Sequence, residues 1–309
     1  MRRPGHAKGS GAAQRGGSDR PERASTPLNI REALRRGSRM LAEAGSEEAT
    51  LEAELLLAHA LNTDRTHLYQ RLRDELTPQA ESAFDALLQR RLAHEPTAYI
   101  LGHKEFYGLE FEVTPDAIIP RSETETLVEL VLDRARSASA REMRIADIGV
   151  GCGAIAVALA VNLSEADIIA TDISPLALAL ARRNAQRHTV AGRIRFLEGD
   201  LLEPLDAPVD VIVANLPYVR SGDLEAAPPE INEHEPRLGL DGGPDGLRLI
   251  ERLLREAPPH LKPGGALFAE IDEEQGDSAR TLAAAVFPQA RIEVRRDLSR
   301  LDRALVVLT

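Results

Sequence analysis

The pattern of apolar and polar residues divides the chain into parts with different periodicity. Residues 1–26 show no apolar periodicity and are rich in Gly, Ser, Ala, Arg and Pro, so we expect a disordered tail. From residue 29 onwards apolar residues recur at helical spacing, interrupted at Gly and Pro. The helices predicted by this spacing span residues 29–44, 46–61, 63–69 and 77–93. Together they predict a small helical bundle over residues 27–95.

A different pattern follows the bundle. Around Gly108, residues 105–113 alternate between apolar and polar, which predicts a β-hairpin within a linker of residues 96–120. A helix is predicted over residues 121–138, with Ser122 and Glu125 at the spacing of a capping box.

Beyond residue 140, short apolar runs alternate with amphipathic segments. Runs typical of buried strands span residues 144–148, 167–171, 194–198, 209–214, 265–271, 291–296 and 304–308. Helices are predicted over residues 153–162, 174–188, 244–257 and 273–286. This alternation predicts an α/β fold with a parallel, doubly wound sheet and helices on both faces. The last two strands have a short link, so we expect them to pair antiparallel at or near one edge.

The predicted strand 209–214 runs into Asn215-Leu216-Pro217-Tyr218. Open α/β sheets bind ligands at the carboxyl ends of their strands, which is where Asn215 stands. Asn215 offers one acceptor and two donors, Pro217 fixes the turn, and Tyr218 supplies a flat wall. Such a pocket suits a planar amide or amino group. Asn and Pro are also common in turns, so the motif alone leaves a capped strand end as an alternative.

A glycine-rich turn with Gly149, Gly151 and Gly153 connects the first predicted strand of the sheet to a helix. Glycines there let a ligand approach the backbone amides at the helix start. The next strand ends at Asp172, whose carboxylate can hold ribose hydroxyls. Because Gly149, Gly151 and Ala154 also satisfy a dinucleotide fingerprint, the loop indicates an adenosine-containing ligand without distinguishing between cofactors.

Two further acids bear on the cofactor. Asp200 closes the third strand and can accept from an adenine amino group, with Leu201 packing on the ring, although an ordinary turn Asp is equally consistent. Asp147 directly precedes the glycine loop. A pyrophosphate would gain nothing from that negative charge, whereas a sulfonium with an α-ammonium group would be attracted by it. Asp147 and Asn215 together favour S-adenosyl-L-methionine.

Composition narrows the function further. Cys152 is the single cysteine, which excludes an internal disulfide and a cysteine-rich zinc site, and no His lies near it in the motif, so we interpret it as a small packing residue. The eight His residues lack metal-ligand spacing, and no metal is predicted.

Charge disfavours a nucleic-acid substrate. The chain has a net charge of -11; residues 1–26 hold six Lys/Arg against two Asp/Glu, so the remainder carries -15. With no Trp and few aromatic residues, the chain also lacks a stacking platform, and we expect no specific nucleic-acid binding. No apolar run is long enough to cross a bilayer and no signal segment is evident, so we expect a cytoplasmic protein, and a monomer.

Taken together, the motifs closely resemble the peptide chain release factor N(5)-glutamine methyltransferases, over nearly the whole chain after the tail. Beyond the glycine loop and Asn-Leu-Pro-Tyr, the resemblance is carried by residues 52–57 (Glu-Ala-Glu-Leu-Leu-Leu), 99–102 (Tyr-Ile-Leu-Gly), 105–109 (Glu-Phe-Tyr-Gly-Leu), 119–125 (Ile-Pro-Arg-Ser-Glu-Thr-Glu), 235–236 (Glu-Pro), 245–247 (Asp-Gly-Leu) and 302–303 (Asp-Arg).

The resemblance implies a seven-stranded class I, Rossmann-like methyltransferase domain over residues 121–309, with the antiparallel last strand inserted in the sheet. It implies that the bundle helps dock a class 1 release factor, and that the enzyme methylates the amide nitrogen of the glutamine in the Gly-Gly-Gln motif. The cofactor residues expected from the motifs and the resemblance are Asp147, Ile148, Gly149, Val150, Gly151, Gly153, Asp172, Asp200, Leu201 and Asn215. The residues expected to hold the glutamine are Asn215, Leu216, Pro217 and Tyr218.

The sequence departs from the family pattern at two positions. Leu216 replaces the first Pro of the usual Asn-Pro-Pro-Tyr, and Ser122 stands where Pro is usual. Neither change removes a reactive group, because a backbone carbonyl at residue 216 needs no particular side chain. We expect the Asn215 side-chain oxygen and the Leu216 carbonyl to accept the N–H groups of the substrate amide.

Other functions remain open on the sequence alone. A glutamine methyltransferase of a ribosomal protein and an adenine N(6)-methyltransferase on nucleic acid would use the same pocket. A cofactor-binding scaffold without catalysis and a nicotinamide-dependent oxidoreductase share the glycine loop.

Overall fold

A computed structural model describes residues 28–138 and 142–309, so the tail predicted at residues 1–26 lies outside the described part of the chain. Within those two ranges, no helix combines the length and the apolar character needed to cross a bilayer.

The N-terminal bundle is built from helices that bury their Leu and Ala rows against one another. Its helices are α1 (Ile30–Glu43), α2 (Ala49–Ala60), α3 (Arg65–Gln70) and α4 (Pro78–Leu92), and a short helix that the sequence analysis did not predict, α5 (Thr97–Leu101), begins the stretch 96–120. At the start of α1, the Asn29 side chain accepts from the Glu32 amide and the Glu32 carboxylate accepts from the Asn29 amide. Phe84 and Leu88 of α4 are fully buried in this core. The helical bundle predicted from the spacing is confirmed.

A short hairpin connects the bundle to the larger domain. Strands β1 (His103–Phe106) and β2 (Leu109–Glu112) pair antiparallel, and Tyr107 and Gly108 between them both have positive φ, 52° and 69°. Such two-residue turns match the right-handed twist of a hairpin, and they favour Gly because φ is positive. The hairpin predicted around Gly108 is therefore confirmed.

Helices and strands alternate through the rest of the chain. In order they are α6 (Glu125–Ala138), β3 (Arg144–Ile148), α7 (Ala154–Asn162), β4 (Asp167–Asp172), α8 (Pro175–Arg187), β5 (Ile194–Glu198), β6 (Val209–Ala214), β7 (Val219–Arg220), α9 (Ser221–Leu224), α10 (Pro229–Asn232), β8 (Asp241–Gly243), α11 (Arg248–Glu256), β9 (Leu261–Glu270), α12 (Gly276–Val286), β10 (Arg291–Arg296) and β11 (Asp302–Leu308).

The capping box predicted before α6 is wrong. A 3₁₀ turn, Ser122–Thr124, precedes the helix, and the Ser122 hydroxyl donates to Glu123 instead of capping a backbone amide. The Glu125 carboxylate accepts from the Tyr107 amide at 2.8 Å. Glu125 therefore binds a residue of the hairpin, and it does not cap the helix as the local spacing predicted.

The central sheet has seven strands in the order β10-β11-β9-β6-β3-β4-β5. β3 pairs parallel with β4 and β6, and β11 lies between β9 and β10, antiparallel to both. The α/β class, the antiparallel final pair and the inserted last strand are all confirmed. In register, Ile148 at the end of β3 faces Thr171 of β4 and Ala214 of β6, so the residues following these strands meet at one edge.

One buried arginine joins the bundle to the larger domain. Arg91 of α4 is 7% exposed; it donates to Glu52 of α2 at 2.8 Å and pairs with Glu230 of α10. Two acids thus compensate a cation that has lost most of its water.

Arg91→Ala should lower the free energy of unfolding by about 3 kcal/mol, because it leaves the half-buried Glu52 and its neighbour Glu230 without their cation. The neighbouring Arg90→Ala is the matched control: Arg90 pairs with Glu95 on the surface and should contribute at most about 1 kcal/mol. Denaturant titration of both variants measures the difference. Equal losses would contradict a special role for the buried pair.

Candidate active site

A cavity of about 640 Å³ opens at the carboxyl edge of β3, β4 and β6. Eight of the predicted site residues line it: Gly149, Gly151, Asp172, Asp200, Leu201, Asn215, Leu216 and Pro217. The predicted strand ends therefore converge on one site, as the register of the sheet requires.

The glycine loop approaches the cavity with its backbone. The amides of Gly149 and Val150 both donate to the Thr171 carbonyl at 2.9 Å, which ties the loop to the end of β4. Gly151 has φ of 55°, and a Cβ at that position would meet no atom within 4 Å. A side chain there would instead project into open space beside the cavity, which a ligand could fill.

Two carboxylates stand at the cavity wall in different settings. Asp172 accepts from the Gly151 amide at 3.0 Å and the Ser174 amide at 2.9 Å. Burial raises the pKa of Asp172, while the backbone hydrogen bonds to Ser174 and Gly151 oppose that rise. Asp200 forms an ion pair with Arg252 at 2.9 Å. The Asp172 carboxylate retains free lone pairs for hydroxyl donors. Asp200 is held in position by Arg252, a partner that the sequence did not indicate.

Some predicted cofactor residues support the loop from behind and do not line the cavity. Ile148 and Val150 are buried in two different core clusters. Gly153 starts α7 with φ of 90°, and a Cβ there would lie 3.1 Å from the Ala181 Cβ. These positions place the loop by packing: Ile148 and Val150 bury their side chains, and Gly153 leaves room for the close approach of Ala181.

Asp147 also lies beneath the loop, away from the cavity wall. Its side chain is 1% exposed; Oδ2 accepts from the Ala156 amide at 2.9 Å and Oδ1 has no hydrogen-bond partner. Burial raises the pKa of Asp147 to about 7, the Ala156 amide opposes the rise, and Asp172 adds to it. An acceptor oxygen without a partner under a glycine loop is a favourable neighbour for a cation.

This raised pKa predicts a pH-dependent stability. Because folded Asp147 binds its proton more tightly than the unfolded chain does, its contribution to the free energy of unfolding falls as pH rises from 3.8 to about 7. The slope is at most about 1.4 kcal/mol per pH unit. Asp147→Asn should remove this part of the slope in denaturant titrations at several pH values. The exposed Asp277→Asn serves as control, and equal slopes in all three proteins would contradict the assignment.

The Asn-Leu-Pro-Tyr element presents its polar groups in two directions. Asn215 Nδ2 donates to the Thr124 hydroxyl at 3.0 Å. That bond leaves Asn215 Oδ1 as an acceptor at the cavity wall. Leu216 is 5% exposed, and its Cδ2 would lie 2.9 Å from a Cβ at Gly149, so it packs directly onto the glycine loop.

The Tyr218 ring is not part of the cavity wall, in contrast to the flat wall expected from the sequence. The ring packs against the hydrophobic core and does not line the cavity, and its hydroxyl donates to Glu270 Oε1 at 3.0 Å. Its carbonyl accepts from the Gln275 amide group at 3.0 Å. Pro217 separates Leu216, which packs on the glycine loop, from Tyr218, whose ring packs into the core.

Several residues around the cavity were not predicted. Thr124 and Glu270 contact the Asn-Leu-Pro-Tyr element, and the buried Glu235 pairs with Arg121 and accepts from the Ile119 amide at 3.1 Å. The stretch 236–239, which follows Glu235, forms part of the cavity wall. The only signal for Glu270 was an acid within the predicted strand 265–271; the other contacts join segments too distant for local patterns to connect.

Cys152 has the properties of a packing residue, as expected. It is 4% exposed, and burial raises the pKa of its thiol to about 12, so the nucleophilic thiolate is disfavoured. Across residues 28–138 and 142–309, no cluster of three or more His, Cys, Asp or Glu side chains is arranged to hold a metal ion.

The mostly parallel seven-stranded sheet with a glycine loop at its carboxyl edge has a Rossmann-like architecture, and the relatives of the chain place it among the methyltransferases. Residues 123–231 match the family model "Methyltransferase small domain", and residues 32–102 match "PrmC N-terminal domain". The fold is also that of the solved hMettl16 catalytic domain, with a TM-score of 0.50 at 15% identity, covering 65% of this chain and 76% of that one.

Curated relatives specify the family. A release factor glutamine methyltransferase of Moorella thermoacetica is 43% identical over 280 residues, covering 90% of this chain and 98% of the relative. One from Geobacter sulfurreducens is 47% identical over 239 residues, covering 77% and 82%. The chain belongs to the release factor glutamine methyltransferase family.

Proposed function

We propose that this enzyme transfers a methyl group from S-adenosyl-L-methionine to the side-chain amide nitrogen of the glutamine in the Gly-Gly-Gln motif of class 1 peptide chain release factors. The observation that carries the proposal is the orientation of Asn215. Its Nδ2 donates to Thr124 at 3.0 Å, which leaves Oδ1 to accept an N–H at the cavity wall. The family relationship supports a release factor as substrate and translation termination in the cytoplasm as the setting.

The residues present fit S-adenosylmethionine. Gly151 offers open space beside its backbone, and the unpartnered Asp147 Oδ1 beneath the loop is an acceptor that a nearby cation would favour. Asp172 would accept from the ribose hydroxyls, and Leu201 and Asp200 would contact the adenine. When bound, S-adenosylmethionine supplies a methyl group on a positively charged sulfur, which is open to nucleophilic attack.

The substrate amide is a weak nucleophile because its lone pair is delocalised. In our proposal, Asn215 Oδ1 and the Leu216 carbonyl accept its N–H groups and hold the nitrogen in line with the methyl group. These acceptors also stabilise the positive charge that develops on the nitrogen as the nitrogen–methyl bond forms and the methyl–sulfur bond breaks. The nitrogen then loses one N–H proton to solvent. Pro217 restricts the backbone that presents these acceptors. Tyr218 supports the same segment from the core, where its hydroxyl donates to Glu270.

Substrate docking is proposed for the bundle, residues 27–95, with residues 96–120 as the linker and residues 121–309 as the catalytic domain. Arg91 anchors the bundle to α10. Along the chain, α10 lies between the Asn-Leu-Pro-Tyr element and the stretch 236–239, and both of these segments contribute to the cavity wall. A release factor bound to the bundle would therefore be held beside the cavity opening. We propose a monomer without specific nucleic-acid binding, because residues 27–309 carry a net charge of -15.

Methyl transfer from labelled S-adenosylmethionine to a purified class 1 release factor tests the proposal. The same factor with its Gly-Gly-Gln glutamine changed to alanine is the matched control. We expect label on the first factor and none on the second. Label on both would contradict the target residue, and label on neither, with cofactor binding intact, would redirect the search to ribosomal proteins and then to nucleic acid. Binding of a nicotinamide cofactor instead would contradict the cofactor assignment.

A further inference from the structure

Gln275 is a buried amide side chain with no part in the proposed mechanism. It lies immediately before α12 and is 3% exposed. Its Nε2 donates to the Tyr218 carbonyl at 3.0 Å and to the Asp245 carbonyl at 3.3 Å, and its Oε1 accepts from the Asp272 amide at 3.0 Å. Because two carbonyls face one end of the amide and an N–H faces the other, the group satisfies its partners in one orientation.

Two glycines also enclose the backbone that Gln275 contacts. Gly246 has φ of 75°, and a Cβ there would overlap the Tyr218 carbonyl oxygen and Gln275 Nε2. A Cβ at Gly242 would lie 2.7 Å from the Pro217 carbonyl oxygen. The segment 217–218 therefore packs backbone against backbone, and Gln275 supplies a side-chain donor at that contact.

Both ends of the Asn-Leu-Pro-Tyr element are thus held. At its start, Ala214 pairs with strands on both sides within the central sheet. At its end, Tyr218 is held through its hydroxyl and through its carbonyl. The span 215–217 lies between them, and the ring of Pro217 restricts one of its few backbone torsions. The direction of the two acceptors proposed for the substrate amide therefore depends on where Tyr218 is held.

We propose that Gln275 is a positioning residue that, through its hydrogen bond to the Tyr218 carbonyl, fixes the end of the Asn-Leu-Pro-Tyr element and so aims the Asn215 and Leu216 acceptors at the substrate amide. The inference rests on the proposed function for its effect on turnover. The hydrogen bond itself is a property of the enzyme alone and can be observed without any substrate.

Gln275→Met keeps about the same side-chain volume and removes the donor and the acceptor. We expect kcat for release factor methylation to fall about 10- to 100-fold, because a misplacement of about 1 Å costs on the order of 100-fold. KM for the release factor should change less than kcat, since the bundle proposed for docking is untouched. The exposed Gln289→Met is the control and should turn over as the parent does. A merely structural role for Gln275 would lower thermal stability and leave the kcat of the folded enzyme unchanged.

Gln275→Glu makes the same contact depend on pH. A carboxylate would repel the two carbonyls, whereas a protonated Glu can donate to the Tyr218 carbonyl and still accept from the Asp272 amide. Burial moves a carboxyl pKa upwards, so the change should fall between about pH 5 and pH 9. We expect kcat of Gln275→Glu, relative to the parent, to rise as pH falls, while the ratio for Gln275→Met stays constant. A constant ratio for both variants would overturn the proposal.

Gly246 provides a test that leaves Gln275 in place. Gly246→Ala would push its new Cβ into the Tyr218 carbonyl oxygen. Gly264 is a matched control because its φ of 74° imposes the same backbone strain, yet a Cβ there would meet no atom within 4 Å. Both substitutions should lower stability, but Gly246→Ala alone should lower kcat. Equal kcat in the two variants would contradict the importance of the Tyr218 carbonyl.

A carbonyl signal gives the readout that needs no substrate. Tyr218-Val219 is the single Tyr-Val pair in the sequence, so carbonyl-labelled Tyr combined with nitrogen-labelled Val yields one resonance pair. The Tyr218 carbonyl shift should change in Gln275→Met and return towards the parent value in Gln275→Glu as pH falls. The same shift in Gln275→Met as in the parent would overturn the inference. If the parent failed to methylate a release factor, the proposed function would fail while this signal still decided whether Gln275 holds the element.

Discussion

Asn215→Ala should reduce methyl transfer to the release factor on the order of 100- to 1000-fold while leaving most of the affinity for S-adenosylmethionine. The substitution removes Oδ1, the acceptor that we assign to the substrate amide, and also the Nδ2 donor to Thr124. The glycine loop and Asp172 do not depend on either atom, because their hydrogen bonds run to one another and to Thr171 and Ser174. Single-turnover kinetics and cofactor titration on the same preparation measure the two effects.

A matched substitution guards against a general loss of fold. Asn162 ends α7, donates to the Ala158 carbonyl at 2.8 Å and does not line the cavity. Asn162→Ala should therefore turn over like the parent. If Asn215→Ala kept normal turnover, Asn215 would not be the acceptor and the mechanism would be wrong.

Asp172→Ala should produce the largest loss of cofactor binding, on the order of 100-fold in dissociation constant. The carboxylate holds the amides of Gly151 and Ser174, and in our proposal it also accepts from the ribose. Each hydrogen bond to a charged group contributes about 1.5–3 kcal/mol, so losing the ligand contact and loosening the loop together account for this loss. Calorimetric titration with S-adenosylmethionine measures it.

The other end of the same strand provides the control. Asp167 begins β4 and pairs with Arg144 at 3.3 Å, with a half-exposed side chain. Asp167→Ala removes one acid from the same strand and should leave cofactor affinity unchanged. If the two variants bound the cofactor equally well, Asp172 would not hold the ribose.

The sequence predicted the features that depend on local periodicity and on strand ends. Apolar runs located the strands, and because parallel strands end at one edge, Gly149, Asp172 and Asn215 were expected together and do line one cavity. The inserted position of β11 came from the family resemblance, since the short link to β10 indicated antiparallel pairing only at or near an edge. The capping box at Ser122 failed because Glu125 found a partner in the hairpin.

The direction of individual side chains was not predictable from the motifs. Tyr218 follows Asn215 closely, yet its ring turns into the core towards Glu270, which comes from a strand 52 residues away in sequence. Asp147 is adjacent to the glycine loop but is buried beneath it, because β3 alternates its side chains between the two faces of the sheet. Thr124, 91 residues before Asn215, became its partner only through the packing of α6 against the sheet.

The measurement that tests the account most directly is the position of the transferred methyl group. Fragmentation of the release factor peptide by mass spectrometry, after reaction with parent enzyme or Asn215→Ala, locates the added methylene. The account predicts that the parent enzyme modifies the side-chain amide of the Gly-Gly-Gln glutamine, and that Asn215→Ala leaves that residue almost unmodified. A methyl group on any other residue, or equal modification by both enzymes, would contradict it.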